Sequence, residues 1–439
     1  MQKVIVYSPY QSPRLTYVLD WLLKERLQLD YSIVTNESEA SGTAYCISYS
    51  HTLPNAVNIP AAGLLAATGI DNELKDAKLN PGEWDGLPVL FYVGEDTQHA
   101  LPFDLFSAVF FLISRYEEYT PYAPDKHGRF NATDSILYKQ GWLTRPIVDE
   151  WVEAFRQILE KVWNVAIPKP TFTFRPTYDI DMAYSHAYKG IKRIVGAYIR
   201  ALLKGDVQQI SERTQVLKKK ATDPYDSFAL LRHLHEQYGY KPIYFILSAL
   251  KTTPFDKNIH PKHPAMVRVI KQLAKEGEIG IHPSYYATHY DVMAKEQNTL
   301  KHIIAHPIHI SRQHYIRLMI PATYHLLMDN DITQDYSMGY GSHIGFRAGT
   351  GSSFMWYDLL KESATSIRTH PFCFMDTTAH FDMAMPVAEA FAALNKMVAD
   401  LQRCGSTLNT VFHNFSLGTD QQWQGWSEAY ATFLAKMAK

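Results

Sequence analysis

A chain of 439 residues, 46% hydrophobic and 20% charged, is too long for one hydrophobic core and too apolar to be disordered, so two folded domains are expected. Its 43 basic and 44 acidic residues leave a formal net charge of -1, which excludes a global field drawing the protein to nucleic acid or to an anionic membrane. The three cysteines, Cys46, Cys373 and Cys404, lack metal-finger spacing and read as reduced thiols of a cytosolic protein. The N-terminal stretch MQKVIVYSPYQSPRLTYVLDWLL has no uninterrupted apolar core or small-residue cleavage site. A cytoplasmic protein without stable membrane insertion is therefore expected.

In chain order, KVIVY at 3–7 reads as a strand, and SPRLTYVLDWLLKERL follows as a helix with Leu15, Val18, Leu19 and Leu22 on one face. YCISYS and GLPVLFY are further strands. FDLFSAVFFLISRYEEY is a strongly apolar helix, and Glu117 and Glu118 beside Arg115 read as its ion-paired end rather than as a glycosidase acid pair. PIVDEWVEAFRQILEKVW is another helix, with Trp151, Phe155, Ile158, Leu159 and Val162 at helical spacing. Two prolines in IPKPTFT mark a linker near 166–171. The expected division is an N-terminal α/β domain over 1–165 and a second domain over 170–439.

Beyond the linker, strand and helix alternate. TFTFRPTYD is a strand, and KGIKRIVGAYIRALLKG at 189–205 an apolar-faced helix carrying Lys192, Arg193, Arg200 and Lys204. Such a helix suits a membrane surface or nucleic acid, but the commoner use, expected here, is to cover its own core. FALLRHLHEQYG and AMVRVIKQLAKEG are helices, and KPIYFIL and EIGIHPS strands. IHISRQHY, GSHIGFRAG, FCFMD and LNTVFHN complete the strand candidates. The alternation implies mainly parallel strands with covering helices. Asp179, His282, Arg312, Arg347, Asp376 and His413 all fall at or just after a strand's C-terminal end, the edge where α/β enzymes assemble sites. Asp179 and Asp181 also suit capping of a helix near Tyr188, and Asp376 suits capping of one at Thr377. His186 reads as peripheral.

TYDID, GIHPS, RQHY and VFHN resemble diverged motifs of the polysaccharide deacetylase (NodB-homology) family, over about residues 170–435. LPFDLFSAVFFLISRYEEY, HGRF and PIVDEW resemble the uncharacterised domain that precedes this module in some bacterial proteins. The resemblance implies a distorted (β/α)7-like barrel that holds a divalent metal, with zinc the first expectation and manganese or cobalt the others. It implies removal of an acetyl group from an amino sugar or a related amide, the substrate being an amino-sugar glycan, a glycan precursor or a small-molecule amide. By the same resemblance Asp179 is the base, Asp181 and His282 are metal ligands, and His413 is the acid. Asp376 orients His413, and Arg312 or Arg347 pairs with the base.

Two departures from the family pattern stand out. Ile180 separates acids that are normally adjacent, and on a regular strand that spacing puts Asp179 and Asp181 on one face. Tyr286 occupies the place of the second histidine, which leaves His289 and His314 as candidates for the missing ligand. Tyr286, and Arg347 in its glycine-rich loop, are expected to contact substrate. Loss of that histidine also motivates an alternative, a degenerate barrel that binds carbohydrate or a partner protein without catalysis.

Overall fold

The computed structural model describes residues 3–74, 76–95 and 98–438. The N-terminal region holds a parallel sheet of β1 (Val4–Tyr7), β2 (Tyr31–Val34), β3 (Cys46–Tyr49) and β4 (Val57–Ile59), in the order β2-β1-β3-β4. A hairpin of β5 (Gly82–Trp84) and β6 (Leu87–Val89) turns at Asp85-Gly86, both at positive φ, as a two-residue turn between right-twisting strands requires. The helix Leu105–Ile113 is buried on every side, capped by Asp104 through the Ser107 amide. The helix Ile147–Trp163 packs its Trp151, Phe155 and Leu159 face into the same core.

The second sheet contains β7 (Thr173–Ile180), β8 (Ile243–Leu247), β9 (Glu278–His282), β10 (Ile310–Ser311), β11 (Gln334–Asp335), β12 (Phe354–Asp358), β13 (Ser363–Thr369), β14 (Phe374–Met375) and β15 (Thr407–His413). Their order is β12-β13-β11-β10-β9-β8-β7-β15-β14, and every pairing is parallel except β12 with β13. Helices Phe228–Tyr238, Pro264–Glu276, Tyr290–Ile304, Val387–Cys404 and Trp426–Met437 flank it. The sheet is a curved half-barrel. β7 and β10 are three strand steps apart, about 14 Å on a flat sheet. Arg312, one residue past β10, nevertheless reaches Asp179 and Thr177 of β7, at 2.8 and 2.7 Å. One arginine spans that gap because the sheet curls around it.

The two regions are joined through polar contacts beneath β12 and β13. Arg14 pairs with Glu362, and Trp21 donates to the Ser353 carbonyl at 2.9 Å. Glu118 accepts from both Arg115 and Arg347 at fully buried positions. Glu118 thus lies between two cationic partners, and Glu117 pairs with Arg115 and accepts from the Ile136 amide, so both acids of RYEEY are structural.

Two expected elements differ. GSHIGFRAG forms no strand: Gly345 and Gly349 sit at φ 135 and 67, and the Gly345 and Phe346 amides donate to the Cys373 and Leu143 carbonyls instead of to a ladder. The helix Ile191–Leu203 does not cover the core with its large apolar residues. It turns Ala197 and Ala201 inward and leaves Ile191, Val195, Ile199 and Leu202 in solvent. Among the described residues no helix is long and apolar enough to cross a membrane.

Candidate metal centre and active site

The C-terminal ends of β7, β9, β10 and β15 open into one cavity of about 360 Å³. Asp179 is the penultimate residue of β7, and Asp181 follows the strand's last residue, so the alternation carries both acids to the cavity while Ile180 packs behind them. His282 ends β9, His314 lies three residues beyond β10, and His413 ends β15. All five line the cavity.

Asp181 is the hub. Its Oδ1 stands 3.2 Å from His282 Nε2, and its Oδ2 stands 3.4 Å from His314 Nε2 and 3.5 Å from His413 Nε2. Ligand atoms of Asp181, His282 and His314 all lie within 4.8 Å of one another. The partners on the far side of each ring settle which nitrogen faces inward. His282 Nδ1 donates to the Arg312 carbonyl at 2.6 Å, and His314 Nδ1 to Asp256 at 3.1 Å. A carbonyl and a carboxylate only accept, so in the neutral rings both Nε2 lone pairs point at the Asp181 carboxylate. Lone pairs aimed at an anion repel unless a cation lies between them.

Asp181 Oδ1 is buried and has no hydrogen-bond partner, which is costly for an ionised oxygen. One carboxylate and two imidazoles, each held by an outer hydrogen bond, are a donor set suited to a divalent ion. The residues fit such an ion. Without it, burial alone would push the Asp181 carboxyl up, but His314 and His282 outweigh burial and hold it well below the usual carboxylate range. Burial likewise opposes a charge on His314, and Asp181 with Asp256 raises it to about 9. The site thus demands positive charge between its acids and its rings.

Two further pairs flank this centre. Arg312, fully buried, donates Nη1 to Asp179 Oδ1, Nη2 to Thr177, and Nε to the Tyr336 carbonyl at 3.0 Å. This leaves Asp179 Oδ2 facing the cavity, 3.7 Å from His282 Nε2. His413 Nδ1 donates to Asp376 Oδ1 at 2.7 Å, and the His413 amide to Asp376 Oδ2 at 2.7 Å. Burial disfavours a proton on His413, but Asp376 and Asp181 raise it well above its ordinary value. Asp376 also accepts from the Thr377 amide at 2.6 Å and from Ser416; the helix that follows has Thr377 at its N-cap and no side-chain cap, so Asp376 serves the histidine rather than the helix.

The structure places the other sequence candidates elsewhere. Arg347 does not line the cavity; its guanidinium is spent on Glu118 and the Gly339 carbonyl. His289 precedes the helix Tyr290–Ile304 as its exposed N-cap. Tyr286 is half exposed, edge-on to Phe255 and Tyr285 and outside the cavity lining. His186 is held by Glu212 at 2.7 Å.

Other residues of the site escaped the sequence reading. Asp256 sits in a loop between β8 and the next helix, where nothing in TPFDKN marks it. Lys126, His127 and Arg129, from HGRF and the residue before it, form one wall of the cavity. His127 Nδ1 lies 3.0 Å from the Tyr285 hydroxyl, and Arg129 Nη1 donates to the Tyr315 carbonyl at 2.7 Å. The one signal was the aromatic density near TPY, HGRF and GWL, which suits either glycan contact or joining of the domains.

Residues 4–164 match a family model described as a family of unknown function (DUF7033). No curated protein matches the chain. Among solved structures, the Bacillus cereus polysaccharide deacetylase Bc1974 is 12% identical with a TM-score of 0.30, covering 62% of this chain and 89% of its own. The Puue allantoinase is 11% identical with a TM-score of 0.39, covering 61% and 84%. The Bacillus subtilis peptidoglycan deacetylase PdaC is 10% identical with a TM-score of 0.23, covering 61% and 97%.

Proposed function

We propose that the chain is a metal-dependent amide hydrolase that removes an acetyl group from an amino sugar or a related amide. The observation that carries this reading is the inward orientation of the His282 and His314 Nε2 atoms around Asp181, with Asp179 and His413 beside them. Asp181, His282 and His314 would hold the ion. Imidazole ligation favours zinc, with manganese or cobalt as the alternatives. The ion would supply a Lewis acid that acidifies water and polarises the amide carbonyl.

The protein's own groups divide the proton work. Asp179, fixed through one oxygen by Arg312, takes the proton of the attacking water on Oδ2. His413, whose Nδ1 proton is pinned by Asp376, gives its Nε2 proton to the departing nitrogen as the C–N bond breaks. The products are the carboxylic acid and the free amine. Phe255, Tyr315, Phe381 and Phe415 line the cavity and offer the apolar faces on which a sugar ring stacks. In this reading the half-barrel is a diverged (β/α)7-like deacetylase barrel over 170–439, joined to the N-terminal domain of 1–165. The protein works in the cytoplasm on a glycan precursor or small amide.

The test is metal analysis of the purified full-length protein beside an amide-hydrolysis screen. The native protein should hold about one divalent ion. Asp181→Ala and His282→Ala should lose it, whereas Asp179→Ala and His413→Ala should keep it and lose turnover by about 100-fold or more. Absence of metal uptake dependent on Asp181 or His282 overturns the reading. Metal bound without turnover on any amide favours the alternative, a degenerate barrel that binds carbohydrate or a partner protein without catalysis.

A further inference from the structure

The helix Ile191–Leu203 inverts the usual order of burial. Its buried side chains are Ala197 and Ala201. Its large aliphatics are outside: Ile191 is 81% exposed, Val195 50%, Ile199 53%, Leu202 72% and Leu203 81%. At 100° per residue Ile191, Val195, Ile199 and Leu202 form one stripe within about a quarter turn, with Leu203 at its edge. Val207, 73% exposed, extends the patch where the next helix starts. Scattered exposed aliphatics need no explanation, but a contiguous stripe beside buried alanines does.

The charges around the stripe are predominantly positive. Residues 189–220 hold nine lysines and arginines against Asp206 and Glu212, a net +7 in a chain whose formal net charge is -1. Lys192, Arg200 and Lys204 are exposed on the helix itself. We infer that this helix is a docking surface for an anionic lipid bilayer, lying in the interface plane with its aliphatic stripe among the acyl chains and its cations at the headgroups.

Other occupants fit less well. A second copy meeting this face across a two-fold axis would set +7 against +7. Nucleic acid would satisfy the cations but leave the aliphatic stripe with nothing to bury against. The placement also has a consequence for the cavity. Arg193 donates to the Lys257 carbonyl at 2.9 Å, and Lys257 lines the cavity. The docking helix is therefore tied directly to the cavity's rim, from the side facing away from the stripe. Membrane docking itself does not depend on the hydrolase reading.

Sedimentation of the full-length protein with vesicles tests the proposal. Phosphatidylcholine vesicles are compared with vesicles that also contain phosphatidylglycerol. The native protein should pellet with the anionic vesicles, less so as salt rises. Ile191→Ser/Ile199→Ser/Leu202→Ser should weaken binding about tenfold or more, and Lys192→Glu/Arg200→Glu/Lys204→Glu should remove the preference for anionic lipid. These residues are exposed, so unchanged circular dichroism and melting are expected of both variants. Failure of the native protein to pellet, or equal pelleting of the serine variant, overturns the inference. So does a native dimer that the serine variant makes monomeric, since the patch would then be covered by a second copy.

Discussion

Arg312 is the residue on which the candidate base depends. It is fully buried, and its three donor positions go to Asp179, Thr177 and the Tyr336 carbonyl. Phe245 stacks beneath its guanidinium, 4.3 Å from Cζ to the ring centroid. Removing one partner of a buried ion pair strands the other charge, so Arg312→Ala should destabilise the protein by about 3–5 kcal/mol, read by urea denaturation. Asp179→Asn combined with Arg312→Met should recover much of that loss without recovering turnover, because no charge is then left unpaired. At this scale much was legible before the structure. Asp179, Asp181, His282 and His413 were visible because acids and histidines at strand ends are unusual in an otherwise apolar pattern. The choice between His289 and His314, and between Arg312 and Arg347, depended on contacts between residues far apart in the chain.

At the scale of elements, the turn carrying His314 shows how the N-terminal region enters the site. Tyr315 and Ile316 both adopt left-handed backbone, with φ of 59 and 52, a conformation costing about 1–2 kcal/mol per residue for L side chains. The turn is held from outside. Arg129 clamps the Tyr315 carbonyl while pairing with Asp125, and Arg317 donates to the His127 and Tyr285 carbonyls. Gly341 leaves room for this clamp, since a Cβ there would overlap the Arg129 guanidinium. Arg129→Ala and Gly341→Ala should therefore each weaken metal binding about tenfold, the size typical of losing an outer support of a ligand. Competition with a chromophoric chelator measures it, and unchanged affinity in both variants would show that the turn holds itself.

Strand-helix rhythm made the second sheet legible from the sequence, whereas this clamp was not, because HGRF lies almost 200 residues before His314 and carries no metal-ligand spacing. The two misread elements failed for local reasons. Glycines at 345 and 349 take backbone angles closed to a strand, and the apolar stripe of 191–203 gave no sign of which face the core would accept.

On the scale of the whole molecule, the core includes a polar cluster whose protonation ties its stability to pH. His235, 4% exposed, lies between Tyr178 of β7 and Tyr244 of β8, and its Nε2 stands 2.7 Å from the Tyr178 hydroxyl. Tyr178 also meets Tyr430 of the C-terminal helix, so one ring links the sheet to two helices. Burial lowers His235 from 6.5 to about 4. A histidine depressed in the folded state remains neutral there while the unfolded chain takes up a proton. Its contribution is therefore complete above about pH 6.5 and is lost as pH falls towards about 4. By about pH 5 the loss attributable to this ring should be about 2 kcal/mol. The urea midpoint of the native protein should fall between about pH 7.5 and about pH 5, and that of His235→Gln should fall less, because glutamine does not titrate. Parallel declines in the two proteins would assign the acid sensitivity to other groups. The expected direction matters for the site as well: β7 carries Tyr178 and Asp179 side by side, so acid that loosens the cluster behind the strand also loosens the strand that presents the candidate base.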